Sequence, residues 1–294
     1  MTTVRPVFSA EEAVRRVGPE PLLPIDVRWS LAGGADRAAY EAGHIPGAVF
    51  VDFDADMCGP AGPDGRHPLP DPGALQAALR AAGVDDDTDV LIYDGGDMLA
   101  AARTWWTLAW AGLPRVHVLD GGFPAWRAAG GEVSLDVPRP KPGTATTRPG
   151  GLPVLDAEAA SRTARDGVLI DVRAAPRYRG ETEPIDPVAG HVPGAVNRPG
   201  EAEIAEGGGF VDVMQLRALF SDIVDSAEAN GRKPPHGRDS YMIEPTGVYC
   251  GSGVTAARTA LAMTAAGLPT PAVYVGSWSQ WIADGDRPVA LGDE

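Results

Sequence analysis

The sequence predicts an α/β protein of two tandem domains, each a mainly parallel sheet with helices on both faces. Three observations carry this reading. Short β-rich apolar runs alternate with alanine-rich helical segments, the pattern of strands joined by helical crossovers. One set of motifs occurs twice in the same order. Between the two occurrences lies a proline-rich stretch that cannot continue a regular element.

In the first half, Leu22 to Val27, Val90 to Tyr93 and Val116 to Leu119 read as strands buried on both faces. Gly73 to Ala82 reads as a helix with a Pro-Gly start and Gly83 as its stop; Ala100 to Ala111 reads as another, ended by Gly112 and Pro114. In the second half, Gly247 to Tyr249 is the strand and Thr255 to Ala266 the equivalent helix, ended by Gly267 and Pro269. Gly231 to Pro245 is polar, contains prolines and lacks periodicity, so a surface excursion is expected there.

The repeat is explicit. Leu23-Pro24-Ile25-Asp26-Val27-Arg28 returns as Val168-Leu169-Ile170-Asp171-Val172-Arg173, and Ala42 to Val49 (AGHIPGAV) as Ala189 to Val196 (AGHVPGAV). Val90 to Gly96 answers Gly247 to Gly253, Ala-Ala-Arg-Thr stands at 101–104 and 256–259, and Val118 to Trp126 echoes Val273 to Trp281. Two domains, 1–137 and 154–294, with a stiff linker over 138–153 follow from these matches and from the prolines at 138, 140, 142, 149 and 153.

Composition removes several function classes. The net charge of −15, with no basic run, disfavours nucleic acid and anionic membrane surfaces, because phosphate neutralisation needs clustered Lys and Arg. No apolar stretch approaches the ~18 residues of a membrane-spanning helix, and the first residues lack the apolar core of a secretory signal. Two cysteines, Cys58 and Cys250, make neither a disulfide framework nor a cysteine zinc site, so a reducing, cytoplasmic setting is expected.

The chemistry concentrates in Tyr249-Cys250-Gly251-Ser252-Gly253-Val254-Thr255. A strand runs into a small-residue loop that opens a helix, and ligands of open α/β sheets bind beyond the carboxyl ends of strands. Two glycines let backbone N–H groups turn inward; with the helix N-terminus they favour the thiolate of Cys250 over the thiol and would cradle any anion formed on its sulfur.

The repeat, the two AGH[IV]PGAV segments, the CGSGVT loop and the closing GSWSQW together resemble the tandem-domain rhodanese sulfurtransferases over nearly the whole chain. CGSGVT is similar to the 3-mercaptopyruvate subgroup, whereas thiosulfate sulfurtransferases carry basic residues after the cysteine. The resemblance implies a persulfide route. Cys250 would take sulfur from a small anionic donor, 3-mercaptopyruvate or thiosulfate, and pass it to a thiol acceptor (a thioredoxin-like protein or a low-molecular-weight thiol) or to cyanide. The loop amides of Gly251, Ser252, Gly253, Val254 and Thr255 would hold the persulfide anion. No metal or organic cofactor is implied, and the spacing of the five histidines suggests none. Asp94 stands where the repeat places Cys250, so the first domain is expected to be catalytically silent.

The same resemblance implies a Ser-His-Asp relay made of Ser252, His67 and Asp54, with Asp52 as the rival for the carboxylate. It implies that Arg177 binds the donor carboxylate, with Arg179 as a neighbour able to exchange roles. A second family arginine, a few residues on, is missing from Glu183-Pro184-Ile185-Asp186-Pro187, which leaves thiosulfate open as donor.

Other residues read as structure. His44 and His191 occur in both halves, so a bond to a loop carbonyl is expected of each. Asp26/Arg28 and Asp171/Arg173 read as internal ion pairs. Trp105, Trp106, Trp110, Trp278 and Trp281 read as core, and Cys58 as a bystander thiol. A cysteine phosphatase is disfavoured because Arg258 lies eight positions after Cys250 where that chemistry needs six. A non-catalytic scaffold is disfavoured by the retained nucleophile.

Overall fold

A computed structural model describes residues 5–229 and 246–293. The excursion expected at 231–245 lies outside the described residues. The chain divides into two compact units. The first holds 1–59, 69–152 and 205–210; the second holds 60–68, 153–204 and 211–294.

The first unit contains β1 (Val7–Phe8), α1 (Ala10–Arg16), β2 (Leu22–Asp26), β3 (Trp29–Ser30), β4 (Gly34–Ala35), α2 (Arg37–Ala42), β5 (Val49–Phe50), α3 (Phe53–Asp56), α4 (Pro72–Ala81), β6 (Asp89–Tyr93), α5 (Leu99–Trp110), β7 (Val116–Leu119) and α6 (Gly122–Ala128). Its sheet has the order β1-β7-β6-β2-β5, every pair parallel, and β3 and β4 form a small antiparallel ribbon. Aspartates 36, 52 and 71 cap α2, α3 and α4, each accepting an amide three residues on, as short polar side chains do at helix starts.

The second unit contains β8 (Val154–Leu155), α7 (Ala157–Asp166), β9 (Val168–Asp171), α8 (Ala175–Tyr178), β10 (Val196–Asn197), a 3-10 turn (Gly200–Glu203), α9 (Val213–Ala229), β11 (Thr246–Tyr249), α10 (Val254–Ala265), β12 (Ala272–Tyr274) and α11 (Ser277–Trp281). Its sheet order, β10-β9-β11-β12-β8, again all parallel, repeats the first topology strand for strand. The predicted strands and helices of both halves are therefore present, within a residue or two of their expected limits.

Each sheet is buried on both faces. On one face of the second, Leu169, Tyr249 and Tyr274 pack with Ala157, Ala160 and Ala164 of α7 and with Trp278 and Trp281. On α10, Ala256, Ala257, Ala260, Leu261, Ala262 and Met263 are all buried, and so are Arg258 and Thr259, so the helix is enclosed by the unit. Trp105, Trp106 and Trp110 are buried in α5. Among the described residues no helix is long and apolar enough to cross a membrane.

The proline-rich stretch is irregular yet anchored to the first unit. Gly143 N–H donates to Arg80 O (2.7 Å), Ala145 N–H to Val84 O (3.0 Å) and Arg148 N–H to Ala111 O (2.7 Å). Asp26 and Arg28 form the expected ion pair, and so do Asp171 and Arg173, at 2.6 Å in each case. His44 Nδ1 meets Tyr40 O at 2.9 Å and His191 Nδ1 meets Tyr178 O at 2.8 Å, so both histidines tie a helix end to its loop.

Candidate active site

Strand β11 is the central strand of its sheet, so its carboxyl end opens onto the middle of the edge. Tyr249 is fixed there: its O accepts from Val172 N–H (3.0 Å) and its hydroxyl accepts from Val192 N–H (3.0 Å). Cys250 follows and is buried. Gly253, at φ +80°, turns the chain into α10, a conformation that L side chains rarely adopt. Its N–H donates to Cys250 Sγ at 3.1 Å. The carbonyls of Cys250 and Gly251 are taken by the Trp278 and Ser279 amides at 3.0 and 2.9 Å. An amide at the mouth of a three-turn helix therefore meets the sulfur, while two neighbouring carbonyls are bonded to α11.

Ser277 holds the loop from behind. Its hydroxyl accepts from Cys250 N–H (3.2 Å) and donates to Tyr274 O (2.8 Å). Ser277 is fully buried at φ +53°, a strained conformation for a residue with a Cβ. Repeat matching did not single it out. The one available signal was that Gly122 occupies its position in the first half.

Ser252 and His67 come together: Nδ1 of His67 lies 2.8 Å from Ser252 Oγ, and both side chains are buried. His67 arrives on the segment Pro60–Pro68, which packs within the second unit although it lies far upstream in sequence. Gly62 and Gly65 exchange two backbone hydrogen bonds, and Arg66 N–H donates to Ser279 Oγ (3.0 Å). Gly65 is required in this turn. It sits at φ +107°, and a Cβ there would meet Gly276 O at 2.8 Å.

Asp54 lies on α3 in the first unit, where its Oδ2 accepts from Trp29 Nε1 at 2.8 Å. Burial raises its pKa against the pull of that bond. Asp52, the rival carboxylate, is engaged as the N-cap of α3, accepting from Ala55 N–H at 3.0 Å. Cys58 is buried, and burial pushes its thiol up to about 11, which leaves it unreactive.

The arginines separate. Arg179 is paired with Glu181 at 2.7 Å. Arg177 donates from Nη2 to Glu183 Oε1 (2.7 Å) and to Asp186 Oδ2 (3.2 Å). Glu183 is shared with Arg173, whose Nη1 lies 3.4 Å from Oε2 and whose guanidinium stacks over Trp278 at 4.6 Å. Arg66, which the sequence reading passed over, donates from Nη1 to Asp186 Oδ1 at 2.7 Å. Arg258 is held by Gly200 O (2.9 Å) and by Glu203 (3.5 Å), so it serves the 3-10 turn rather than the cysteine, contrary to what phosphatase chemistry would need. Burial pushes Glu203 up to about 7, against the pull of Arg258 and Thr259.

In the first unit Asp94 follows β6 as Cys250 follows β11. Its carboxylate accepts from Gly96 (2.9 Å), Met98 (3.2 Å) and Ala101 (3.0 Å). Burial, then the charge of Asp97, pushes it up to about 7 although the three amides favour the anion. Asp94 to Met98 is one residue longer than Cys250 to Gly253, and Met98 takes the left-handed corner at φ +59° that Gly253 fills in the second half.

Comparison with known proteins finds one kind of domain in both halves. The sequence signature of the rhodanese-like domain matches residues 9–129 and 156–284. A Pseudomonas aeruginosa protein named "Probable 3-mercaptopyruvate sulfurtransferase" is 40% identical over 98% of both chains. Rat thiosulfate sulfurtransferase is 32% identical over 92% of this chain and 88% of its own. The crystal structure of the 3-mercaptopyruvate sulfurtransferase SseA from Escherichia coli superposes with a TM-score of 0.75 at 29% identity, covering 94% of this chain and all of that one. With both halves matching one domain signature and full-length likeness to sulfurtransferases, the chain belongs to the rhodanese family and is a tandem-domain sulfurtransferase.

Proposed function

We propose that this sulfurtransferase takes sulfur from 3-mercaptopyruvate through a persulfide on Cys250 and gives it to a thiol or to cyanide. The Cys250 thiolate attacks the donor sulfur, the donor's C–S bond breaks, and its electron pair leaves on the enolate of pyruvate, which then takes a proton. The outer sulfur remains on Cys250 as a persulfide anion. An acceptor thiolate attacks that sulfur, the S–S bond breaks, and the Cys250 thiolate returns. Ser252 and His67 move the proton.

The observation that carries the proposal is the Ser252–His67 pair beside a sulfur that accepts an N–H. A leaving enolate needs a proton, and this pair can deliver one; the sulfite released by thiosulfate has no such need. Charge favours the same donor. Arg66 and Arg177 are balanced by Glu183 and Asp186, so the cluster suits a monocarboxylate better than a dianion. The thiosulfate reading keeps the same persulfide and rests on the rat relative.

The test is kcat/KM for both donors in the thiocyanate assay, with mass spectrometry of the Cys250 peptide after donor alone. The expected result is a preference for mercaptopyruvate and one added sulfur. Preference for thiosulfate would replace the donor, and an unmodified Cys250 would refute the persulfide.

A further inference from the structure

The third residue of α11, Ser279, bonds both to the catalytic loop and to the segment that carries His67. Its N–H donates to Gly251 O at 2.9 Å, next to Ser252. Its hydroxyl accepts from Arg66 N–H at 3.0 Å, next to His67, and donates to Gly276 O at 3.1 Å. A hydroxyl aimed by its own donated bond presents its acceptor face in a fixed direction. Gly65 lets the chain come this close, since a Cβ there would lie 3.2 Å from Ser279 Oγ. The supports of Ser252 and of His67 therefore meet on one residue of one short helix.

The first half supplies the control. In the match of Val118–Trp126 with Val273–Trp281, Ser279 answers to Pro124. Proline has neither an N–H nor a hydroxyl, so neither bond can form there. The bond one residue earlier is kept in both halves: Phe123 N–H donates to Asp94 O (2.9 Å) as Trp278 N–H does to Cys250 O (3.0 Å). Residues 205–210 follow the edge strand β10 as 60–68 follow β5, and they are fastened differently. There Phe210 N–H donates to Asp120 Oδ1 at 2.8 Å, and Asp120 answers to Val275. The serine latch thus belongs to the half that holds Cys250 and the Ser252–His67 pair.

We infer that Ser279 is a positioning residue for the proton-moving pair, an inference that rests on the proton-transfer reading above. Its amide sets the loop on which Ser252 stands. Its hydroxyl sets the segment that brings His67 Nδ1 to 2.8 Å from Ser252 Oγ. Proton transfer needs its partners within hydrogen-bond reach, and a misplacement of about 1 Å costs up to about 10²-fold in rate. Losing the latch therefore slows the step although both reacting side chains remain.

The test compares Ser279→Ala, which keeps the amide and loses the hydroxyl, with Ser279→Thr, which keeps both. kcat and KM are measured with mercaptopyruvate and with thiosulfate. The ring NMR signals of histidine-labelled enzyme are recorded beside them, His67 being assigned through His67→Gln. Ser279→Ala is expected to lower mercaptopyruvate kcat by about tenfold while KM moves by less than about twofold. Thiosulfate turnover is expected to fall less, and the His67 signals to shift. Ser279→Thr is expected to recover most of both. Added to Ser252→Ala, Ser279→Ala is expected to cost little more, because the pair is already broken. Should Ser279→Ala not fold, Ser279→Gly carries the same comparison. Unmoved His67 signals or an unchanged mercaptopyruvate kcat in a folded variant overturns the assignment, as does a loss that threonine does not recover. Equal losses with both donors, with shifted His67 signals, overturn the proton reading and leave Ser279 as the residue that places His67. A wild-type enzyme that uses thiosulfate alone overturns the donor, and the His67 signals then decide the role of Ser279.

Discussion

His67 Nδ1 and Ser252 Oγ share a 2.8 Å hydrogen bond across 185 positions of sequence. In the proposed mechanism, removing the hydroxyl breaks the proton path without touching the sulfur. General acid–base groups contribute roughly 10²–10⁴ in rate. Ser252→Ala is therefore expected to lower mercaptopyruvate turnover by about 10²-fold, and thiosulfate turnover much less. Parallel steady-state assays with the two donors check this, and equal losses would count against the relay.

Asp94→Ala tests whether the first half is catalytically silent. Gly96, Met98 and Ala101 lose their acceptor, which costs about 1–3 kcal/mol for each amide left dry. The thermal midpoint is expected to fall while sulfur transfer per folded molecule stays near the wild-type value. Loss of transfer in a folded variant would move catalysis into the first half.

Ser277 combines a bond to the nucleophile's amide with a strained backbone. Ser277→Ala loses the bond and keeps the strain; Ser277→Gly loses the bond but relieves strain of roughly 1 kcal/mol. The glycine variant is therefore expected to be the more stable of the two. Both are expected to transfer sulfur more slowly than wild type, because the Cys250 amide is no longer held. Thermal melts with single-turnover persulfide formation decide the order.

The pH dependence of stability follows from two buried carboxyls. Asp94 and Glu203 are both pushed up to about 7, from ordinary values of 3.8 and 4.5. The folded chain then binds these protons more tightly than the unfolded chain does. Their favourable contribution is complete below the ordinary values and fades as pH rises through about 7. Stability is expected to decline between about pH 5 and about pH 8, and Glu203→Gln is expected to flatten part of that slope. Urea titrations at the two pH values measure the change.

Arg173→Ala leaves Asp171 buried without its charge partner, a change that costs about 3–5 kcal/mol. Arg28→Ala in the first half is expected to cost less, because the Arg28 side chain is 10% exposed and that of Arg173 only 1%. Denaturation midpoints of the two variants give the comparison.

Much of this was legible in the chain because duplication supplies its own control. His44 and His191 recur in both halves, and both turned out to hold a helix end. Cys250 stands in one half only, at the strand-loop-helix junction where an amide meets its sulfur. The rest was hidden for physical reasons. Arg66 and Asp186 are 120 positions apart, and only tertiary folding brings them to 2.7 Å. The packing of Pro60–Pro68 with the second sheet leaves no mark in composition, since a Gly-Pro loop reads the same whichever surface it covers. Ser277 resembled any helix-start serine until its left-handed backbone was seen.

The extra residue between Asp94 and Met98 decides what a thiol would meet in the first half. A cysteine in place of Asp94 would stand before a turn one residue longer than the Cys250 loop, whose amides are spaced for two carboxylate oxygens. A single exchange at position 94 would therefore not rebuild the Cys250 loop in the first half.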